Sequence, residues 1–270
     1  MSAVHDPLHE IRRALEEADR PPPTVDRSAP IVIQLQDVWL AFDHPVLRGV
    51  DLEVHEGETL VVLGESGTGK STILKLILRL LVPDRGRVRV FGRDIVDLSY
   101  EEALEIRRRI GMVFQYAALF DSLTVYENVA YPLREHTHLP EDRIYRIVCE
   151  RLEFVDLDPG QVMAQLPGEL SGGMRKRVGI ARAIASDPEI VLYDEPTAGL
   201  DPLAVDTIVT LTRKLQAELG VTSVVVTHDI RAGFRVANRV NLLRAGRIEF
   251  EGTPEQMVAS DDPYIRAFLS

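Results

Sequence analysis

The sequence predicts an α/β fold, and three observations carry that prediction. Thr59–Leu63 is a continuous apolar run ending at Gly64, the pattern of a strand covered on both faces of a parallel sheet. From Ser171 onward, apolar strand patterns alternate with helical ones, as they do where helices cover a sheet. The 270 residues are 45% hydrophobic and 27% charged, enough for a sizeable core and unlike a disordered or collagen-like chain. At roughly 150 residues per domain, that length allows one large domain, or a domain with a subdomain. There are 31 Lys and Arg against 42 Asp and Glu, a net charge of −11, which is a poor match to a protein that wraps nucleic acid. A single cysteine, Cys149, excludes an internal disulfide and points to a reducing compartment. The longest apolar runs, such as Thr59–Leu63 and 221–226, fall well short of the ~18 residues that cross a bilayer.

Residues 1–30 read as a separate arm. Met1 to Asp6 carry no basic stretch leading into a long apolar one, so no signal peptide is expected. Leu8, Ile11, Leu15 and Ala18 fall at helical spacing, and Pro21-Pro22-Pro23 ends that pattern with a stiff linker. The arm reads either as a solvated segment or as a docking helix. The body begins near Ile31, where Ile31, Ile33 and Leu35 alternate with Val32, Gln34 and Gln36 as in a strand. Further strands are expected at 50–54, 59–63 and 86–91. The run 71–81 predicts a helix with almost no polar face, hence buried, and 100–109 predicts another helix.

Residues 117–168 change character. They hold Pro132, Pro140, Pro159 and Pro167, one clear amphipathic helix at 144–154 and no strong strand, as in a helical insertion. The α/β rhythm then resumes: helix 171–186, strand 190–194, helix 202–219, strand 222–227, helix 230–236, two short strands around 239–251, and a short helix at 264–269.

Gly64-Glu65-Ser66-Gly67-Thr68-Gly69-Lys70-Ser71 matches G-x-x-x-x-G-K-[ST] without a mismatch, between an apolar strand and a helix. Its glycines let the backbone turn tightly and aim successive N–H groups at one phosphate. The helix start, with Thr72 next in line, adds free N–H groups and the positive end of the dipole. Lys70 brings a point charge to the β- and γ-phosphates, and the Ser71 hydroxyl is suited to Mg²⁺. Ile190–Asp194 is an apolar strand ending in two acids, Asp194 and Glu195. Ligands of parallel sheets bind outside the carboxyl ends of strands, so Asp194 is expected to hold Mg²⁺ and Glu195 to orient an attacking water.

One stretch goes beyond a generic phosphate loop. Leu170-Ser171-Gly172-Gly173-Met174-Arg175-Lys176-Arg177 resembles the signature motif of ATP-binding-cassette (ABC) ATPases. Other marks of that family occur in order: Gln115 resembles the Q-loop, Ala198-Gly199-Leu200-Asp201 the D-loop, and Thr227-His228-Asp229 the switch histidine. Phe42 matches the aromatic that stacks on adenine, with Trp39 a nearby competitor. The resemblance runs from about residue 31 to 260. It implies a P-loop NTPase core of ABC-ATPase type, with an antiparallel β subdomain and an inserted helical subdomain at about 117–168. It also implies ATP and Mg²⁺ as ligands, with Ser71, Gln115 and Asp194 on the metal and Lys70, Gln115, Glu195 and His228 serving catalysis. A second copy is expected in a head-to-tail, ATP-dependent dimer, where Ser171, Gly172, Gly173 and Asp201 face the partner's nucleotide.

A single cassette of this family implies a separate membrane permease touched by the helical subdomain, and a peripheral place on the cytoplasmic face of the inner membrane. Residues 118–137, and Met174 with Lys176-Arg177-Val178, resemble the ATPases of Mla/Mce-type phospholipid transporters. That resemblance implies a motor for phospholipid transport, with a small regulatory subunit and a lipid-binding subunit as further partners and no nucleic acid. Residues 123–129 are shared more widely, so ATPases of amino-acid import, lipoprotein release or a cell-division complex are the alternatives. A soluble ABC protein acting on ribosomes or DNA is a third class, disfavoured by one phosphate loop and negative charge. The chain stops at Ser270, so a long tail embracing the second copy is not expected. Arg107-Arg108-Arg109 reads as a solvated helix end or a contact for anionic headgroups, His136 and His138 as loop residues, and Cys149 as an inert buried thiol.

Overall fold

A computed structural model describes residues 28–270. The expected helix at Leu8 to Ala18 and its proline linker lie outside the described residues. In chain order the strands are β1 (Ile31–Ala41), β2 (Pro45–His55), β3 (Thr59–Leu63), β4 (Arg85–Val90), β5 (Arg93–Asp94), β6 (Ile110–Val113), β7 (Ile190–Asp194), β8 (Thr222–Thr227), β9 (Arg239–Arg244) and β10 (Arg247–Gly252). The helices are α1 (Lys70–Ile77), α2 (Tyr100–Arg108), α3 (Val125–His136), α4 (Glu141–Phe154), α5 (Pro159–Val162), α6 (Gly172–Ala183), α7 (Pro202–Leu219), α8 (Ile230–Val236), α9 (Pro254–Val258) and α10 (Pro263–Leu269). The described residues form two compact units, one of residues 28–97 and 224–270 and one of residues 98–223, with the passage between them inside β8.

The first unit holds an antiparallel sheet of order β2-β1-β4-β5. Strand β2 runs from Pro45 to His55, longer than the expected 50–54, because irregular pairing along β1 lets Pro45 to Arg48 join the ladder. A second set of strands is β10-β9-β3, with β9 parallel to β3 and antiparallel to β10. All five residues of β3 are buried, as a continuous apolar strand demands. Its entry is held by polar groups. Asn238 Oδ1 accepts from Thr59 N at 2.7 Å, and buried Glu58 pairs with buried Arg239 at 2.7 Å.

Helix α1 ends at Ile77 instead of running to 81. Arg79 takes a left-handed φ of 54°, its Nε donates to Ile95 O at 2.9 Å, and Leu80 is exposed. Pro83 lies just beyond and disfavours continuation.

In the second unit, β6 lies parallel to β7 with Ile110 opposite Ile190 and Val113 opposite Tyr193. Helices α3, α4 and α6 pack on one another through Val129, Leu133, Ile144, Val148, Leu152 and Val178, all buried. Helix α3 was not among the expected elements, because Pro132 sits inside it. Its start is strong enough to tolerate the proline. Thr124 and Glu127 form a reciprocal capping box, and fully buried Asn128 donates to three carbonyls, Phe120 O, Leu123 O and Thr124 O. Helix α6 ends at Ala183, short of 186. Cys149, expected to be buried, is half-buried.

Candidate active site

The phosphate loop connects β3 to α1 in the first unit. Glu65, Ser66 and Gly67 are exposed, whereas Gly64, Gly69 and Lys70 are buried. Gly69 has φ 104°, and a Cβ there would sit 3.0 Å from Val46 Cγ1 and Leu47 Cδ2, so a side chain is excluded by both conformation and space. A Cβ on Gly64 would lie 2.5 Å from Leu243 O. Thr68 Oγ1 donates to Glu65 O at 2.9 Å and keeps the loop curled. Lys70 Nζ donates to Gly64 O at 2.8 Å and Glu65 O at 2.9 Å, so the ammonium lies inside the curl of the loop. Ser71 and Thr72 follow in the first turn of α1, both half-buried.

Around this loop the first unit supplies further groups. Phe42 sits in the bend between β1 and β2, 59% exposed, with a face open for stacking. Trp39 is half-buried and its indole N–H is tied to Asp37 Oδ1 at 2.6 Å, which leaves Phe42 the freer ring of the two. His228 is exposed just after β8, and Asp229 caps α8 by accepting from Ala232 N at 3.0 Å. Tyr264 of α10 lies beside the loop. Arg244 stacks 3.6 Å from its ring centroid, while burial and the Glu65 carboxylate raise the phenol above its ordinary value. No motif pointed to Tyr264, since it lies far along the chain from Glu65.

The second unit carries the acids and the signature motif. Asp194 ends β7 and Glu195 follows it, both half-buried. Glu195 has φ 48°, a left-handed conformation that a non-glycine residue adopts only when its surroundings hold it there. Gln115 lies two residues past β6. Because Val113 is paired with Tyr193, Gln115 and Glu195 are equally far beyond the same rung of the ladder. Ser171 caps α6, its Oγ accepting from Met174 N at 3.2 Å, and Ser171 and Gly172 are exposed. Gly173 is close-packed, with a Cβ there 3.2 Å from Ala204 Cβ. Asp201 caps α7 by accepting from Ala204 N at 3.0 Å.

Two cations of α6 grip the backbone of the segment that follows β6. Arg182 donates to Ala117 O and Ala118 O, each at 2.8 Å. Lys176 donates to Gln115 O and lies 3.4 Å from Glu195 O. Burial pushes the Lys176 ammonium down to about 8, against the opposing pull of Glu195 and Asp194. Beside them, Phe114, Phe120 and Tyr131 line an open groove of about 400 Å³ rimmed by Arg107, Arg108 and Arg182. Arg107 lies over the Tyr100 ring and Arg108 pairs with Glu105 at 2.7 Å, so the arginine run forms local contacts at a helix end.

Mg²⁺ is a hard cation that takes oxygen ligands and leans on substrate phosphates. Ser71 hydroxyl, Asp194 carboxylate and Gln115 amide oxygen are all of that kind. Among the described residues no cluster of three His, Cys, Asp or Glu side chains is present. A nucleotide-borne metal needs no such cage.

Residues 47–198 match the model of the ABC transporter family. The chain belongs to that family. It is 41% identical over 84% of its length to the intermembrane phospholipid transport system ATP-binding protein MlaF of Haemophilus influenzae, covering 85% of that protein. It is 42% identical over 83% of its length to a probable ribonucleotide transport ATP-binding protein, mkl, of Mycobacterium leprae, but spans 64% of it. Among solved structures, cbiO1 from Clostridium perfringens, part of the cbiONQ transporter complex, superposes with a TM-score of 0.78 at 31% identity over 85% of this chain and 91% of that one. The cassette MJ0796 in a dimeric post-hydrolysis state with ADP and Pi has a TM-score of 0.75 at 36% identity over 82% of this chain and 98% of that one. This ABC ATPase therefore binds and hydrolyses ATP. Among its described residues no helix is long and apolar enough to cross a membrane.

Proposed function

We propose that this ABC ATPase is the motor subunit of a phospholipid transporter, working on a separate permease. The observation that carries the substrate class is the 41% identity to MlaF across most of both chains. The groove of Phe114, Phe120 and Tyr131 with its arginine rim is suited to an apolar, acidic-flanked cytoplasmic segment of a permease. A subunit that docks there sits on the cytoplasmic face of the inner membrane without spanning it. A small regulatory subunit and a lipid-binding subunit complete the assembly in this reading.

The chemistry follows from the residues. The phosphate-loop N–H groups and Lys70 bind the triphosphate, and Phe42 stacks on the base. Ser71, Gln115 and Asp194 would hold Mg²⁺, which would offset the charge of the phosphates. Glu195 orients the attacking water and His228 stabilises the γ-phosphate side of the reaction. In a head-to-tail dimer, Ser171, Gly172, Gly173 and the N-terminal dipole of α6 meet the partner's γ-phosphate, with Asp201 at the same seam. ATP thus closes the dimer and hydrolysis removes the charge that held it shut.

Two measurements test this. Glu195→Gln should retain ATP binding while turnover falls by about 100-fold or more; near-normal hydrolysis would contradict Glu195 as the water-orienting group. Permease recovered with the chain should carry bound phospholipid by mass spectrometry. A permease that instead stimulates hydrolysis only with ribonucleotides or amino acids would sink the lipid assignment.

A further inference from the structure

Helix α6 contains a buried cation that no motif explains. Lys176 is 4% exposed, on the helix face that also carries Gly179 and Ile180, both buried. Packing alone does not call for an ammonium there, and burying one opposes folding unless hydrogen bonds satisfy it. Its bonds go to main-chain carbonyls of two separate segments, Gln115 O and Glu195 O.

Those two segments share a mechanical problem. Both are irregular backbone just past the ends of adjacent parallel strands. Glu195 has φ 48°, and the turn at Gln115 runs into Ala117 at φ 60° and Ala118 at φ 47°. Such conformations persist only where the surroundings over-determine them. Arg182 holds Ala117 and Ala118 from the far end of α6. Lys176 holds the remaining pair of carbonyls from near the start of that helix, and links both segments to the signature motif.

We propose that Lys176 is a positioning residue that ties the backbone of Gln115 to the backbone of Glu195, holding the metal-side amide and the water-orienting carboxylate in one fixed geometry. The inference rests on the roles proposed above for Gln115 and Glu195. Lys176 does not touch ATP in this arrangement. Its loss frees two main-chain segments, and misplacement by about 1 Å is enough to cost on the order of 100-fold in rate.

The test is steady-state ATP hydrolysis by the 270-residue chain and its variants. Lys176→Met should lower kcat by about 30-fold with the KM for ATP within about threefold of wild type. Lys176→Arg, which keeps a cationic donor, should recover kcat to within about fivefold. Added to Glu195→Gln, Lys176→Met should cost less than the about 30-fold it costs alone, since the part of its effect that passes through that carboxylate is already lost. Wild-type kcat in Lys176→Met, or a Lys176→Arg as slow as Lys176→Met, overturns the proposal. So does a loss expressed in KM alone. If Lys176→Met loses cooperative unfolding, Lys176→Gln against Lys176→Arg decides, and equal kcat in those two overturns it. Failure of the underlying site reading is separate: there, Glu195→Gln alone retains turnover.

Discussion

Lys70 carries its charge into the phosphate loop while only 6% exposed. The cost of that burial is offset by bonds to Gly64 O and Glu65 O, which leave the ammonium pointing where a triphosphate lies in the proposed site. Lys70→Ala should therefore weaken ATP binding by about 10- to 100-fold, as well as slowing turnover, because it removes a ground-state charge contact. Equilibrium binding of a fluorescent ATP analogue reads this directly, and unchanged affinity would remove Lys70 from the binding set. Lys70 was legible in the sequence because its chemistry needs fixed residue types at contiguous spacing. Lys176 was not, although it lies in a quoted motif. Its partners are 61 and 19 residues away, and they are main-chain oxygens, which leave no trace in residue identity.

At the scale of elements, the second unit depends on how β6 enters beside β7. Arg109, just before β6, forms a two-pronged pair with Glu189, just before β7, at 2.5 and 2.7 Å. The Arg109 hydrogen bond holds the Glu189 carboxyl below its ordinary 4.5. A depressed carboxyl stabilises the fold above the unfolded value and loses that contribution as pH falls through the folded one. Wild type should thus be more stable than Glu189→Gln at pH 7, with the gap closing as pH drops below about 4.5. The pair is roughly half exposed, so the gap is small and shrinks with salt. Urea midpoints at pH 7 and pH 3.5 check both the sign and the window. Elements with strong local signals, β3 and α6 among them, were read within a few residues. Helix α3 was hidden by Pro132, whose cost is met by a capping box and by Val129 and Leu133 in the core. Helix α1 stopped early because Arg79 finds a partner in Ile95, a contact outside any local window.

For the molecule as a whole, the proposed dimer makes a prediction that no single chain can satisfy. Ser171 and Gly172 are exposed at the start of α6. Ser171→Arg should leave ATP binding to its own chain within about threefold but abolish hydrolysis in the site that its signature motif completes on the partner. Dimers mixing Ser171→Arg with Lys70→Ala separate the two sites. If one site works when both defects fall on the other, the composite arrangement holds; if both sites are equally dead, it fails.

What the sequence determined by itself was local. The strand–loop–helix with the phosphate-loop pattern, the acids at a strand end and the ordered family motifs are short segments whose chemistry constrains neighbouring residues directly. Tertiary structure alone decided the register that sets Gln115 level with Glu195, the lysine that bridges their carbonyls, and the aromatic groove beside Arg182. Those features depend on pairing and packing between segments tens of residues apart. The free energy that selects them is spread over many buried side chains, so no single spacing records it.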